Sequence, residues 1–134
     1  MNVWSCFKEE QIRQRSLRLH PIAMMILCDM LFWAKTNDCP FVVTDTVSTE
    51  AEDLELKRVS STHRDARAFD ISLREWDATL KQRFITHFRL KYDIYSAMGK
   101  DGKNRLIVEH DAGTGNHLHV QLSTAFKGGF ENPA

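Results

Sequence analysis

The sequence predicts a single mixed α+β domain, and three observations predict it. A chain of 134 residues has the length of one domain. Two long segments, from Pro21 to Lys35 and from about Trp76 to Tyr92, have the apolar content and spacing of helices. Short β-prone runs occur at Phe41 to Thr44, Ala68 to Ser72, Arg105 to His110 and His117 to Leu122, and the last two flank a turn that folds them into an antiparallel hairpin. Residues 1–127 form the expected domain, and Gly128 to Ala134 form a loose C-terminal tail.

Taken in order, residues 1–15 are polar with scattered aromatics and predict a short helix or an arm. Pro21 suits the first turn of a helix, where its missing N–H leaves no bond unmade. The apolar residues after it run almost all round the helix, which predicts a largely buried element. His20 is expected at the helix start in a structural role, and Thr36-Asn37-Asp38 ends the helix. Phe41 to Thr44 follows Pro40 as a strand. The acidic patch Glu50 to Glu55 predicts a solvated loop or one helical turn, since it lacks the alternating oxygen ligands and glycine of a calcium loop. Ala68 to Ser72 alternates as a strand. Leu80, Phe84, Ile85, Phe88 and Tyr92 recur at steps of three and four, the mark of an amphipathic helix, with His87 on its polar side. Ile94 to Met98 predicts a short strand, and Gly99 to Asn104 and Asp111 to Asn116 predict turns.

Composition excludes several classes of function. At 43% hydrophobic residues the chain can build a core without disulfides. A formal net charge of zero argues against nucleic-acid binding, which needs a basic surface. No apolar run is long enough to cross a membrane. Met1 to Glu10 lacks the apolar stretch of a signal peptide, so synthesis in the cytoplasm is expected. Cys6, Cys28 and Cys39 are odd in number and have no C-x-x-C spacing, which suits a reduced compartment. Cys28 is expected to be a small buried hydrophobe. The expected state is a monomer.

Two stretches carry chemistry. His63 and Asp70 are potential metal ligands in one segment, separated by the small residues Ala66 and Ala68. Near the C-terminus His117 and His119 alternate on one face of a strand while Leu118 and Val120 point to the other. Two imidazoles on one strand face are costly to enclose unless they bind or pair with something. Zinc takes imidazole nitrogen and carboxylate oxygen, and catalytic zinc sites combine three protein ligands with water. The bland alternative is a solvated His63 and a strand-end Asp70.

The run Ser61-Thr62-His63-Arg64-Asp65-Ala66-Arg67-Ala68-Phe69-Asp70 resembles the S-x-H-x-x-G-x-A-x-D motif of the zinc D-alanyl-D-alanine peptidases. These enzymes cut peptidoglycan stem peptides and share a core with the Hedgehog signalling domain. His117-Leu118-His119 resembles their C-terminal H-x-H variant. The resemblance spans about residues 17–122, and the compact form is similar to phage-encoded members. It implies an α+β fold with helices on one side of a mainly antiparallel sheet and zinc in a surface cleft. It implies His63, Asp70 and His119 as zinc ligands, Ser61 as a substrate contact and His117 as a histidine beside the ligands that does not itself bind the zinc.

The sequence departs from that pattern at three places. Ala66 occupies the motif glycine, which is strained if the position needs a positive φ. Asn116 stands where many members carry an acidic general base, which leaves His117 or Glu109 for that role, with His117 preferred. The region Thr44 to Thr49 has no arginine for a substrate carboxylate, with Arg64 and Arg67 as conceivable substitutes. The expected activity is therefore a zinc peptidase acting on peptidoglycan peptides containing D-amino acids, with endopeptidase favoured over carboxypeptidase. Its site of action is the cell wall, in the manner of a phage lysis enzyme. The rival expectation is an inactive zinc-stabilised structural or binding module, such as a virion component.

Overall fold

The computed structural model describes residues 6–99, 101–111 and 115–127. The expected tail, residues 128–134, and part of the second turn, residues 112–114, lie outside the described residues. So does the N-terminal end of the expected arm, residues 1–5.

A short helix, α1 (Glu10–Ser16), leads to α2 (Pro21–Thr36). Pro21 opens α2, and His20 Nδ1 accepts the Ile22 N–H at 3.1 Å, the structural role expected of it. Ala23, Ile26, Leu27, Met30 and Ala34 form the buried stripe. Burial nearly all round the helix is not found. Met25, Cys28 and Phe32, spaced by three and four residues, lie on the opposite side. Phe32 is 73% exposed and Cys28 is exposed rather than buried, because the core contacts α2 from one side.

The strand β1 (Val43–Asp45) begins two residues later than the sequence suggests. The acidic patch forms α3 (Glu50–Glu55), started by a capping box in which Thr49 and Glu52 satisfy each other's backbone N–H. The strand β2 (Ala68–Ser72) matches the sequence expectation. Asp77 Oδ1 accepts the Leu80 N–H at 2.7 Å and starts α4 (Ala78–Tyr92). Phe84, Ile85, Phe88 and Tyr92 are buried in α4, and His87 is exposed.

The expected strand from Ile94 to Met98 is instead a 3-10 turn, Asp93–Tyr95, followed by β3 (Ala97–Met98). The expected strand from Arg105 to His110 divides into β4 (Asn104–Arg105), which pairs with β3, and β5 (Ile107–Asp111), which pairs with β6 (Asn116–Gln121). The division falls at Leu106, whose side chain is fully buried.

The main sheet has the order β1-β2-β6-β5, with every neighbour antiparallel. Its register sorts the side chains. Phe69 opposite Val120, Ile71 opposite Leu118 and Ile107 opposite Val120 share one face. These residues join the buried residues of α2 and α4 in one hydrophobic cluster. At its centre Phe84 packs against Trp33, Trp76 and Phe88 with ring centroids 4.7–5.4 Å away. The other face carries Asp70 opposite His119, and Ser72 and His110 both opposite His117. No helix among the described residues is long and apolar enough to cross a membrane.

Candidate metal centre

Alternation along β2 and β6 follows from the strand period. With Phe69, Ile71, Leu118 and Val120 directed into the core, Asp70, His117 and His119 must face the other way. Asp70 and His119 meet as a cross-strand pair, and His119 Nδ1 lies 2.8 Å from Asp70 Oδ1. His63 comes from the segment that precedes β2, and its Nε2 lies 3.2 Å from the same Asp70 oxygen. One ligand atom from each of His63, Asp70 and His119 falls within 4.8 Å of the others. The structure thus brings together the three residues singled out in the sequence.

The donor set fits a cation. His63 Nδ1 is 2.6 Å from the Thr46 carbonyl oxygen. A carbonyl can only accept, so Nδ1 carries the proton and neutral His63 presents the Nε2 lone pair to Asp70, another acceptor. His119 Nε2 lies 3.3 Å from Thr62 Oγ1. When it donates there, His119 Nδ1 also turns a lone pair to Asp70. A metal ion among the three, or a proton on an imidazole, removes the conflict.

The titration directions report the same balance. Burial pushes the Asp70 carboxyl up, but the flanking His63 and His119 outweigh it and hold the group far below the usual carboxylate range. Enclosure by itself lowers the pKa of His63. The Asp70 charge and hydrogen bond, aided by Asp45, reverse that and leave it raised.

A hydrogen-bonded chain orients His63 from behind. Arg58 binds Asp45 and, at 3.3 Å, Asp53. Asp45 Oδ1 accepts the Thr46 N–H at 2.9 Å, and the Thr46 carbonyl accepts from His63. Ligand histidines are commonly fixed through their second nitrogen in this way.

Above the three ligands lies an open cavity of about 330 Å³, also lined by Leu56, Arg58, Val59, Ser60, Thr62, His110 and Gln121. Ser61, the expected substrate contact, is outside this lining, and its hydroxyl donates to Asp65 at 2.8 Å. The adjacent Ser60 and Thr62 line the cavity in its place, because the turn at residues 61–65 directs Ser61 inward to Asp65. Arg64 and Arg67 are also absent from the lining. Arg67 is buried and donates to the Leu122 carbonyl. Arg64 is exposed, 3.7 Å from Asp53.

Glu109 does not reach the centre. It pairs in register with Leu118, on the core-facing side of the sheet, and its carboxylate binds Lys81 of α4 at 3.1 Å. The sheet lies between Glu109 and the ligands, which corrects its candidacy as a base. His117 is on the ligand face but lines a neighbouring groove with Ser72, Asn116 and Trp76. Besides the three ligands, the cavity lining holds two ionisable side chains, Arg58 and His110, that the sequence motifs do not point to. For His110 a signal existed, since a hairpin closing symmetrically about the turn Asp111 to Asn116 places residue 110 opposite residue 117.

Ala66 has φ +60°, a left-handed conformation that strains any residue carrying a Cβ. Comparisons with protein-family models, with curated proteins and with solved structures gave no match.

Proposed function

We propose that this chain is a zinc-dependent peptidase acting on peptidoglycan peptides, with the fold of the D-alanyl-D-alanine peptidase and Hedgehog group. The observation that carries the reading is the convergence of His63, Asp70 and His119 at the floor of an open cavity. His63, Asp70 and His119 would hold the ion. At such a site the ion would supply a water of lowered pKa and polarisation of the scissile carbonyl. Asp70 and the Thr46 carbonyl orient His63, and the cavity wall of Leu56 and Val59 accepts the apolar parts of a peptide.

An endopeptidase fits better than a carboxypeptidase. The one arginine in the described lining, Arg58, is already engaged by Asp45 and Asp53, so no free guanidinium faces a terminal carboxylate there. One observation favours a second reading, an inactive zinc-stabilised module. The expected substrate contact Ser61 is committed to Asp65.

The test is to measure zinc per chain and then incubate the loaded protein with purified peptidoglycan, following new amino termini and released fragments by mass spectrometry. New termini inside the stem or cross-link support the endopeptidase. Stoichiometric zinc with no cleavage leaves the module.

A further inference from the structure

We infer that His110 is the proton-transfer residue of the cavity. The inference rests on the peptidase reading above and names the group which that reading lacks once Glu109 is placed on the far side of the sheet.

Four observations carry it. His110 lines the same cavity as His63, Asp70 and His119, whereas His117 lines the neighbouring groove. Its ring departs from its register partner: the centroid is 6.5 Å from His117 but 5.5 Å from His119, which is diagonal to it across the β5-β6 pair. It stands outside the group of ligand atoms formed by His63, Asp70 and His119, so it is beside the centre and not part of it. Neither of its ring nitrogens has a hydrogen-bond partner among the described residues.

With the three ligands set aside, the described lining consists of Leu56, Val59, Ser60, Thr62, Gln121, Arg58 and His110. Of these side chains only the imidazole both takes and gives a proton near neutral pH. His110 shares the cavity with Asp70, His119 and His63, and His117 is its register partner.

A water gives one proton to a His110 ring nitrogen while its oxygen bonds to the scissile carbonyl carbon and the carbonyl π pair moves onto the carbonyl oxygen. That pair then re-forms the double bond as the carbon–nitrogen bond breaks, the C–N electron pair stays on nitrogen, and that nitrogen takes the proton from His110. One water is consumed, a carboxylic acid and an amine are released, and His110 returns to its starting state.

The experiment compares His110→Ala with the native chain in three measurements. These are zinc affinity, peptidoglycan hydrolysis with and without added imidazole, and binding of acetohydroxamate to the cobalt-substituted protein, followed by the cobalt visible bands. The expected result is zinc affinity unchanged within a few-fold, turnover lower by about 10²–10⁴ with partial rescue by imidazole, and hydroxamate binding weaker by about tenfold. Unchanged hydroxamate affinity overturns the inference, as does loss of zinc, which makes His110 a ligand. A larger loss of turnover in His117→Ala than in His110→Ala overturns it too. A native protein that binds zinc and hydroxamate but cuts no peptidoglycan removes the peptidase reading, and the hydroxamate measurement still decides the place of His110.

Discussion

His63 Nε2 and Asp70 Oδ1 stand 3.2 Å apart with no proton between them while the imidazole is neutral, because the His63 proton is held by the Thr46 carbonyl on the other side of the ring. The pair is completed by a cation or by protonation, and its behaviour separates those two cases.

Metal addition supplies the first separation. Zinc at a hundredfold excess over its dissociation constant stabilises a binding-competent fold by about 2.7 kcal/mol. For a domain of this size that raises the Tm by about 10 °C. A chelator should reverse the rise. His63→Ala, Asp70→Ala and His119→Ala should each abolish both the rise and stoichiometric zinc in equilibrium dialysis. A Tm indifferent to zinc and chelator leaves the group as a metal-free ion pair.

The dependence on pH supplies the second. In the metal-free protein His63 is raised from 6.5, so its contribution is full below pH 6.5 and is lost as pH rises through the higher folded value. Asp70 is lowered from 3.8, so its contribution is present above pH 3.8 and is lost as pH falls towards the folded value. Both describe one ion pair, which stabilises most between about pH 4 and pH 6.5. Zinc inverts the upper limb, because it binds deprotonated imidazole. Urea midpoints should therefore fall from pH 6 to pH 8.5 without metal and rise over the same interval with zinc in excess.

The chain from Arg58 through Asp45 and Thr46 to His63 predicts a remote effect on the metal. Asp45→Asn keeps the side-chain shape but weakens the grip on Arg58, and loosening a partner behind a ligand typically costs 10–100-fold in metal affinity. Zinc competition with a chromophoric chelator should show a loss of about tenfold. Wild-type affinity would make this network purely structural.

At Ala66 the backbone and the side chain make opposing demands. Ala66→Gly removes the left-handed strain, roughly 1–2 kcal/mol, but gives up a buried methyl and adds chain entropy to the unfolded state. Its net effect should stay within about 1 kcal/mol. Ala66→Val places a β-branched residue at φ +60° and should cost more than about 2 kcal/mol. Denaturant unfolding of the two variants checks the contrast.

The elements with a strong period were legible in the sequence. The α4 stripe from Leu80 to Tyr92 and the alternation of β2 and β6 fixed which faces are apolar, and with them the shared face of Asp70 and His119. Side-chain identity alone did not reveal facing where the period was weak. Glu109 and His110 are neighbours in β5, and which of them shares the ligand face depends on a register that only the hairpin sets. In α2 nearly every position is apolar, so composition hid which side meets the core, and Cys28 and Phe32 came out on the surface. Ser61 lies outside the cavity lining for a local reason, since Asp65, four residues on, accepts its hydroxyl.

Asp70 and His119 belong to the central strand pair, whereas His63 sits on the segment that leaves β1 and returns to β2. That segment is fastened by few backbone bonds, among them Ser48 N–H to the His63 carbonyl and His20 N–H to the Ala66 carbonyl. An ion shared by His63, Asp70 and His119 would act as a clasp between this excursion and the sheet. Its stabilisation would fall unevenly: the wall of the cavity at Leu56 to Thr62 would tighten with loading, while β2 and β6, already paired along five residues, would gain little. Occupancy and cavity shape are thus coupled through one histidine.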